Sequence, residues 1–87
     1  MVEKQKKDTV NRLKRIEGQI RGIEKMIEND AYCIDIITQT SAIRSAIKSL
    51  EDELLKKHLR SCAALQVKNG NEDKMVGEIL KVYKLKK

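Results

Sequence analysis

An all-α chain is predicted from three features. Proline is absent and glycine occurs only four times in 87 residues, so little interrupts a helix. Charged residues make up 37% of the chain and alternate with apolar ones at spacings of three and four, the period of an amphipathic helix. Phe and Trp are absent and only two Tyr occur, which leaves a core of Ile, Leu, Val, Met and Ala. We expect three helices with a long second one, in one domain spanning residues 1–87. A chain this small, without large aromatics or a disulfide framework, gains stability by associating with copies of itself.

The first helix is expected over residues 5 to 28. Leu13, Ile16, Ile20, Ile23 and Ile27 are spaced 3, 4, 3, 4, an a/d seam for packing against another helix. The stretch E-N-D-A at 28–31 breaks it, with Asn29 suited to a helix end and Asp30 to an N-cap. The second helix is expected from about Ala31 to Lys68, since neither proline nor glycine occurs between them. Ile36, Ile43, Ile47, Leu50, Leu54 and Leu65 form its apolar stripe. At ~1.5 Å per residue it would be about 57 Å long, too long to be buried in one small globule. Asn69 and Gly70 end it, and Asn71 caps a short third helix carrying Met75, Val76, Ile79, Leu80 and Tyr83. The basic tail from Lys84 to Lys87 is expected to fray.

The formal charge of +6 points to an anionic partner such as nucleic acid, or else to a merely soluble basic surface. The N-terminus M-V-E-K-Q-K-K-D has no apolar signal region, and no apolar run approaches the ~18 residues of a membrane span. We therefore expect a cytoplasmic protein that is not membrane-bound, in whose reducing compartment the two cysteines act as thiolates.

His58 is the only histidine, and Cys62 stands four residues beyond it in H-L-R-S-C. On a helix that spacing stacks the two side chains on one face, as a two-donor clamp for a metal ion. The remaining cysteine, Cys33, falls on the same face of the second helix, because 25 steps at ~100° return to within about 20° of the start. Yet ~37 Å of helix separates it from His58. Two second helices laid antiparallel, crossing near the small Ala46 and Ile47, bring Cys33 of one chain beside His58 and Cys62 of another. Symmetry then makes two such sites. Two thiolates and one imidazole suit Cu(I) in trigonal geometry; zinc with a water in the fourth position also fits. From the residues alone, a surface histidine with two compact apolar cysteines stays open as well.

The stretch N-R-L-K-R-I-E-G-Q-I-R-G-I (11–23), with D-A-Y-C (30–33) and H-L-R-S-C (58–62), closely resembles the copper-sensitive operon repressors. The resemblance spans nearly the whole chain. It implies an antiparallel helical-bundle dimer that pairs into a flat tetramer, a dimer of dimers. It also implies a Cu(I)-responsive repressor that binds double-stranded operator DNA when metal-free and releases it on Cu(I) binding, so that copper-efflux genes are expressed. Cys33, His58 and Cys62 match the Cu(I) branch. The superfamily's nickel/cobalt and formaldehyde sensors usually carry histidine where Cys62 stands, and its persulfide sensors lack one at 58. By the same resemblance, Tyr32 and Glu78 lie next to the copper ligands. A ligating imidazole usually donates its other N–H to an oxygen, and Glu78 is the acceptor implied.

No helix-turn-helix or zinc finger is evident. A basic set on the first helix comprises Arg12, Lys14, Arg15, Arg21 and Lys25, with Gln19 one turn beyond Arg15; Arg44 and Lys48 repeat the spacing on the second. Arginine grips phosphate or guanine bidentately and glutamine reads adenine. Glu17, Glu24 and Glu28 interrupt this set, so a solvated charged face is the other reading. Some family members carry arginine where Ser49 stands, which leaves the contact from the second helix unassigned. Two other functions compete: a thiol- or persulfide-responsive repressor, in which Cys33 and Cys62 react across chains, and a small copper carrier that never touches DNA. An enzyme is not expected, because one histidine and no nucleophile–base–acid set leave nothing to run a reaction.

Overall fold

The computed structural model describes residues 3–85. They form α1 (Glu3–Glu28), α2 (Cys33–Lys57), a π turn (His58–Ala63), α3 (Ala64–Lys68) and α4 (Glu72–Leu85), with no strand among the described residues. The chain divides into two compact units, with the boundary between Glu53 and Leu54.

In the first unit, α1 and the first part of α2 make an antiparallel hairpin. Its direction is marked by Arg12 of α1, whose Nη2 donates to Ser49 Oγ of α2 at 3.1 Å. Ile16, Ile43 and Leu50 are the buried residues, each from an expected apolar stripe. Leu13, Ile20, Ile27 and Ile47 belong to the same stripes but stay exposed, so one hairpin covers only part of its apolar surface.

The connection corrects the expected role of Asp30. Asp30 has φ 54 and occupies the left-handed position just past the end of α1. Ala31 N–H donates to Met26 C=O at 2.9 Å and Asp30 N–H to Ile27 C=O at 3.2 Å, the bond pair of a Schellman motif. Aspartate tolerates this conformation better than most residues because its short polar side chain bonds locally. The cap of α2 is Tyr32, whose C=O accepts from the N–H groups of Asp35 and Ile36, so α2 begins at Cys33 rather than at Ala31.

In the second unit the expected uninterrupted helix is modified at the motif itself. Residues His58–Ala63 form a π turn, with right-handed helical backbone on both sides at Lys57 and Ala64. Ser61 Oγ donates to Lys57 C=O at 2.8 Å. A hydroxyl on the carbonyl one turn back competes with the regular ladder, though Thr9 and Thr38 make the same bond to Gln5 and Ile34 C=O without widening α1 or α2. α3 then ends as expected: Gly70 takes φ 78, and Asn71 N–H donates to Gln66 C=O at 2.7 Å. Asn71 C=O accepts from Met75 N–H at 3.1 Å and so opens α4. α4 runs to Leu85, so Lys84 and Leu85 are helical rather than frayed; Lys86 and Lys87 lie outside the described residues. Leu55, Met75, Ile79 and Val82 are half-buried in this unit, whereas Leu59, Leu65, Leu80 and Tyr83 are exposed.

Candidate metal and nucleic-acid sites

The π turn carries both clustered donors. His58 is its first residue and is half-buried; Cys62 is its fifth and is an exposed free thiol. In an α-helix, positions i and i+4 fall just past one full turn. In the wider π geometry they fall just short of it, so the two side chains keep one face but are offset to the other side. π turns recur at functional sites, where they re-aim a side chain at a cost in regularity. The Ser61 hydroxyl is 3.8 Å from Cys62 Sγ, but its single proton is used on Lys57 C=O at 2.8 Å.

Glu78 reaches this site from α4. Its Oε2 is 3.4 Å from His58 Nε2, with both side chains partly shielded from solvent. That separation is within ion-pair range but does not close as a hydrogen bond: Nε2 is sealed from water and has no aligned partner. The ring edge facing Glu78 is therefore the Nε2 edge. The same Oε2 accepts from Gln66 Nε2 at 3.3 Å, while Gln66 Oε1 is buried without a partner. Gln66 escaped the sequence reading. Its signal was there, since it lies eight residues after His58, close to two helical turns and hence near the same face.

Cys33 and Tyr32 belong to the first unit. Cys33 is the first residue of α2 and an exposed free thiol, and the Tyr32 ring is 70% exposed. Among the described residues of one chain, no three or more His, Cys, Asp and Glu side chains gather as a metal-binding group.

The basic set lies on the hairpin. Lys14, Arg15, Gln19, Arg21 and Lys25 are exposed on α1, as are Arg44 and Lys48 on α2. Arg12 is half-buried because its guanidinium reaches across to Ser49. Arg44 Nη2 donates to Ser41 Oγ at 3.3 Å. At Ser49, where some family members carry arginine, the guanidinium comes instead from Arg12 of α1, and Ser49 stays exposed.

An imidazole and a thiol on one turn, a carboxylate behind the ring and a helix lined with arginine and lysine are the parts of a metal-responsive regulator. A family model described as metal-sensitive transcriptional repressor matches residues 5–84, and the chain belongs to that family. It is 47% identical over 81 residues to the copper-sensing transcriptional repressor CsoR of Bacillus subtilis (strain 168), covering 93% of this chain and 80% of that one. It is 50% identical over 66 residues to the copper-sensing transcriptional repressor RicR of Mycobacterium tuberculosis (strain ATCC 25618 / H37Rv), covering 76% and 69%. The crystal structure of the copper-sensing repressor CsoR with Cu(I) from Geobacillus thermodenitrificans NG80-2 superposes with a TM-score of 0.93 at 38% identity, covering 98% of this chain and 88% of that one. The nickel-responsive transcriptional regulator InrS superposes less closely, with a TM-score of 0.76 at 29% identity over 90% of this chain and 88% of that one. The all-helical fold expected from the sequence is thus that of a copper-sensing repressor.

Proposed function

We propose that this chain is a Cu(I)-responsive transcriptional repressor whose metal-free form holds operator DNA and whose loaded form releases it. The observation that carries the proposal is the orientation of His58. Its Nε2 edge faces the Glu78 carboxylate at 3.4 Å, so Nδ1 is the nitrogen left for a ligand, and the free thiol of Cys62 stands four residues on in the same π turn. The copper-sensing relatives and the likeness to a Cu(I)-bound repressor support the choice of metal. So does the donor set: two soft thiolates and one imidazole favour Cu(I).

In this reading His58 and Cys62 of one chain and Cys33 of a second hold the metal, in an antiparallel dimer that pairs again into a tetramer. Tyr32, directly before Cys33, lines the same site. Bound Cu(I) supplies no reaction; it serves as a charge and a template around which donors from two chains gather. Glu78 accepts the Nε2 proton of the ligating ring and ties α4 to the state of the π turn. Arg12, Lys14, Arg15, Gln19, Arg21, Arg44 and Lys48 face the duplex. The work is done in the cytoplasm, where the thiols stay reduced. Release follows from coupling: the metal-competent arrangement binds DNA less well, and by reciprocity DNA weakens metal binding to the same degree. A ~100-fold switch needs about 2.7 kcal/mol of differential affinity.

A second reading keeps the repressor and changes the signal. Both cysteines are exposed free thiols, so either thiolate can attack the outer sulfur of a small persulfide and expel its thiol, and the second chain's thiolate can then attack the inner sulfur and expel sulfide to leave an interchain disulfide. A carrier without DNA contact finds no support in a family of repressors. The deciding experiment is an anaerobic Cu(I) titration of operator-bound protein, paired with copper K-edge absorption of the loaded form. Two sulfurs and one nitrogen, with loss of operator affinity that vanishes in His58→Ala, are expected. Cu(I)-driven release that persists in that variant would leave the thiol switch as the better account.

A further inference from the structure

We propose that Gln66 is a positioning residue that holds the Glu78 carboxylate in the metal-free chain and yields it to His58 when the site is loaded. Gln66 thereby sets how much copper the sensor requires. This rests on His58 being a ligand through Nδ1, as proposed above.

Two donors converge on one oxygen. Gln66 Nε2 donates to Glu78 Oε2 at 3.3 Å and closes a hydrogen bond. His58 Nε2 lies 3.4 Å from the same Oε2 and does not. Two atoms of this cluster are left over: His58 Nε2 and Gln66 Oε1 are both sealed from water with no hydrogen-bond partner. Buried polar groups are almost always paired, and each exception costs free energy. The metal-free arrangement is therefore a frustrated one, in which Glu78 is aligned toward the amide and not toward the ring.

Tautomerism explains why loading changes the outcome. A neutral imidazole carries a single N–H, on either nitrogen. In the metal-free ring that proton need not sit on Nε2. A ligand on Nδ1 forces it there, and Nε2 becomes an obligatory donor pointing at a carboxylate. A carboxylate–imidazole bond of this kind outcompetes a neutral amide for the aligned position. Gln66 then swings off Glu78, and its carbonyl oxygen is freed to find solvent. Oε2 has room for two donors, so the competition is over alignment: turning the carboxylate to the ring draws it out of line with the amide, and the Gln66 contact thereby lowers affinity.

The test is the Cu(I) dissociation constant of the full-length protein, measured anaerobically against a chromogenic Cu(I) chelator. Gln66→Met keeps the chain length and removes the donor. It is expected to bind Cu(I) about 3- to 10-fold more tightly than the parent, the worth of one modest hydrogen bond. In a Glu78→Ala background the same substitution is expected to have no effect, because nothing is left to compete for. Equal or weaker binding by Gln66→Met overturns the proposal, and so does an effect that survives loss of Glu78. A second readout uses the parent protein: the 15N-labelled side-chain amide of Gln66 is expected to lose hydrogen-exchange protection on loading. Unchanged protection also overturns the proposal, and this measurement decides alone if Gln66→Met does not fold. The underlying reading fails separately: if His58→Ala binds Cu(I) like the parent, His58 is no ligand, whatever Gln66 does.

Discussion

His58 has two nitrogens, and only Nε2 faces Glu78. Nε2 looks to Glu78 at 3.4 Å and is sealed from water, so a carboxylate already stands behind the ring before any ligand arrives. Carboxylates behind a metal-bound imidazole are worth roughly 10- to 100-fold in metal affinity. Glu78→Ala is therefore expected to weaken Cu(I) binding within that range while leaving the sulfur count in the absorption spectrum unchanged. Chelator competition and K-edge spectroscopy read the two effects separately. His58→Ala removes the nitrogen altogether, and the ratio of operator affinities without and with Cu(I) is expected to fall from ~100-fold toward unity. Fluorescence anisotropy on labelled operator measures that ratio. His58 and Cys62 were legible as candidate ligands because soft donors stand out by residue type and spacing. Gln66 was not, because an amide is common and only its contact with Glu78 makes it count.

Helix ends here were harder to read than helix bodies. Asn29, Asp30 and Asn71 all look like caps, yet backbone geometry assigns them different places. Asp30 takes the left-handed position with φ 54, and Gly70 takes its counterpart after α3 with φ 78. A side chain with Cβ costs about 1–2 kcal/mol there, so Gly70→Ala is expected to lower stability by roughly 1 kcal/mol. Asp30→Gly is expected to raise it, though by less, because glycine also loses more entropy on folding. Urea unfolding of the two variants against the parent, at matched protein concentration, checks both signs. The π turn was beyond periodicity arguments for a different reason. The Ser61 hydroxyl bonds Lys57 C=O there, but Thr9 and Thr38 make the same bond inside regular helix, so no residue type announces the turn, and the apolar spacing on either side is unchanged by it.

Exposure of the apolar stripes is the clearest statement about assembly. Leu13, Ile20, Ile27, Ile34, Ile37 and Ile47 are all exposed on the hairpin, more aliphatic surface than a soluble helical monomer usually leaves to water. A tetramer of this 10.0 kDa chain would have a mass of about 40 kDa (4 × 10.0) and a formal charge of +24 (4 × 6). Light scattering at micromolar concentration is expected to give the tetramer mass. Ile37→Glu, which puts a charge into that surface, is expected to reduce it. Operator binding by such a charged assembly is expected to drop by about 10³- to 10⁵-fold between 50 and 200 mM salt, if 6–10 phosphates are contacted. Arg15→Ala, which removes one of the proposed phosphate contacts, is expected to flatten the log–log salt slope by about 1. Anisotropy titrations across a salt series give both values.

Helical character, the positions of the apolar stripes, the soft donors and the basic face are all written in local chemistry. They depend on residue type and on spacings of three and four, which a helix converts directly into faces. Contacts between distant residues are not written that way. Arg12 meets Ser49 only because two helices fold back on each other, and His58, Gln66 and Glu78 share one carboxylate oxygen only because α4 returns beside the π turn. Such meetings depend on how elements dock, and docking is set by the summed packing of many side chains. No single stretch of sequence carries that sum.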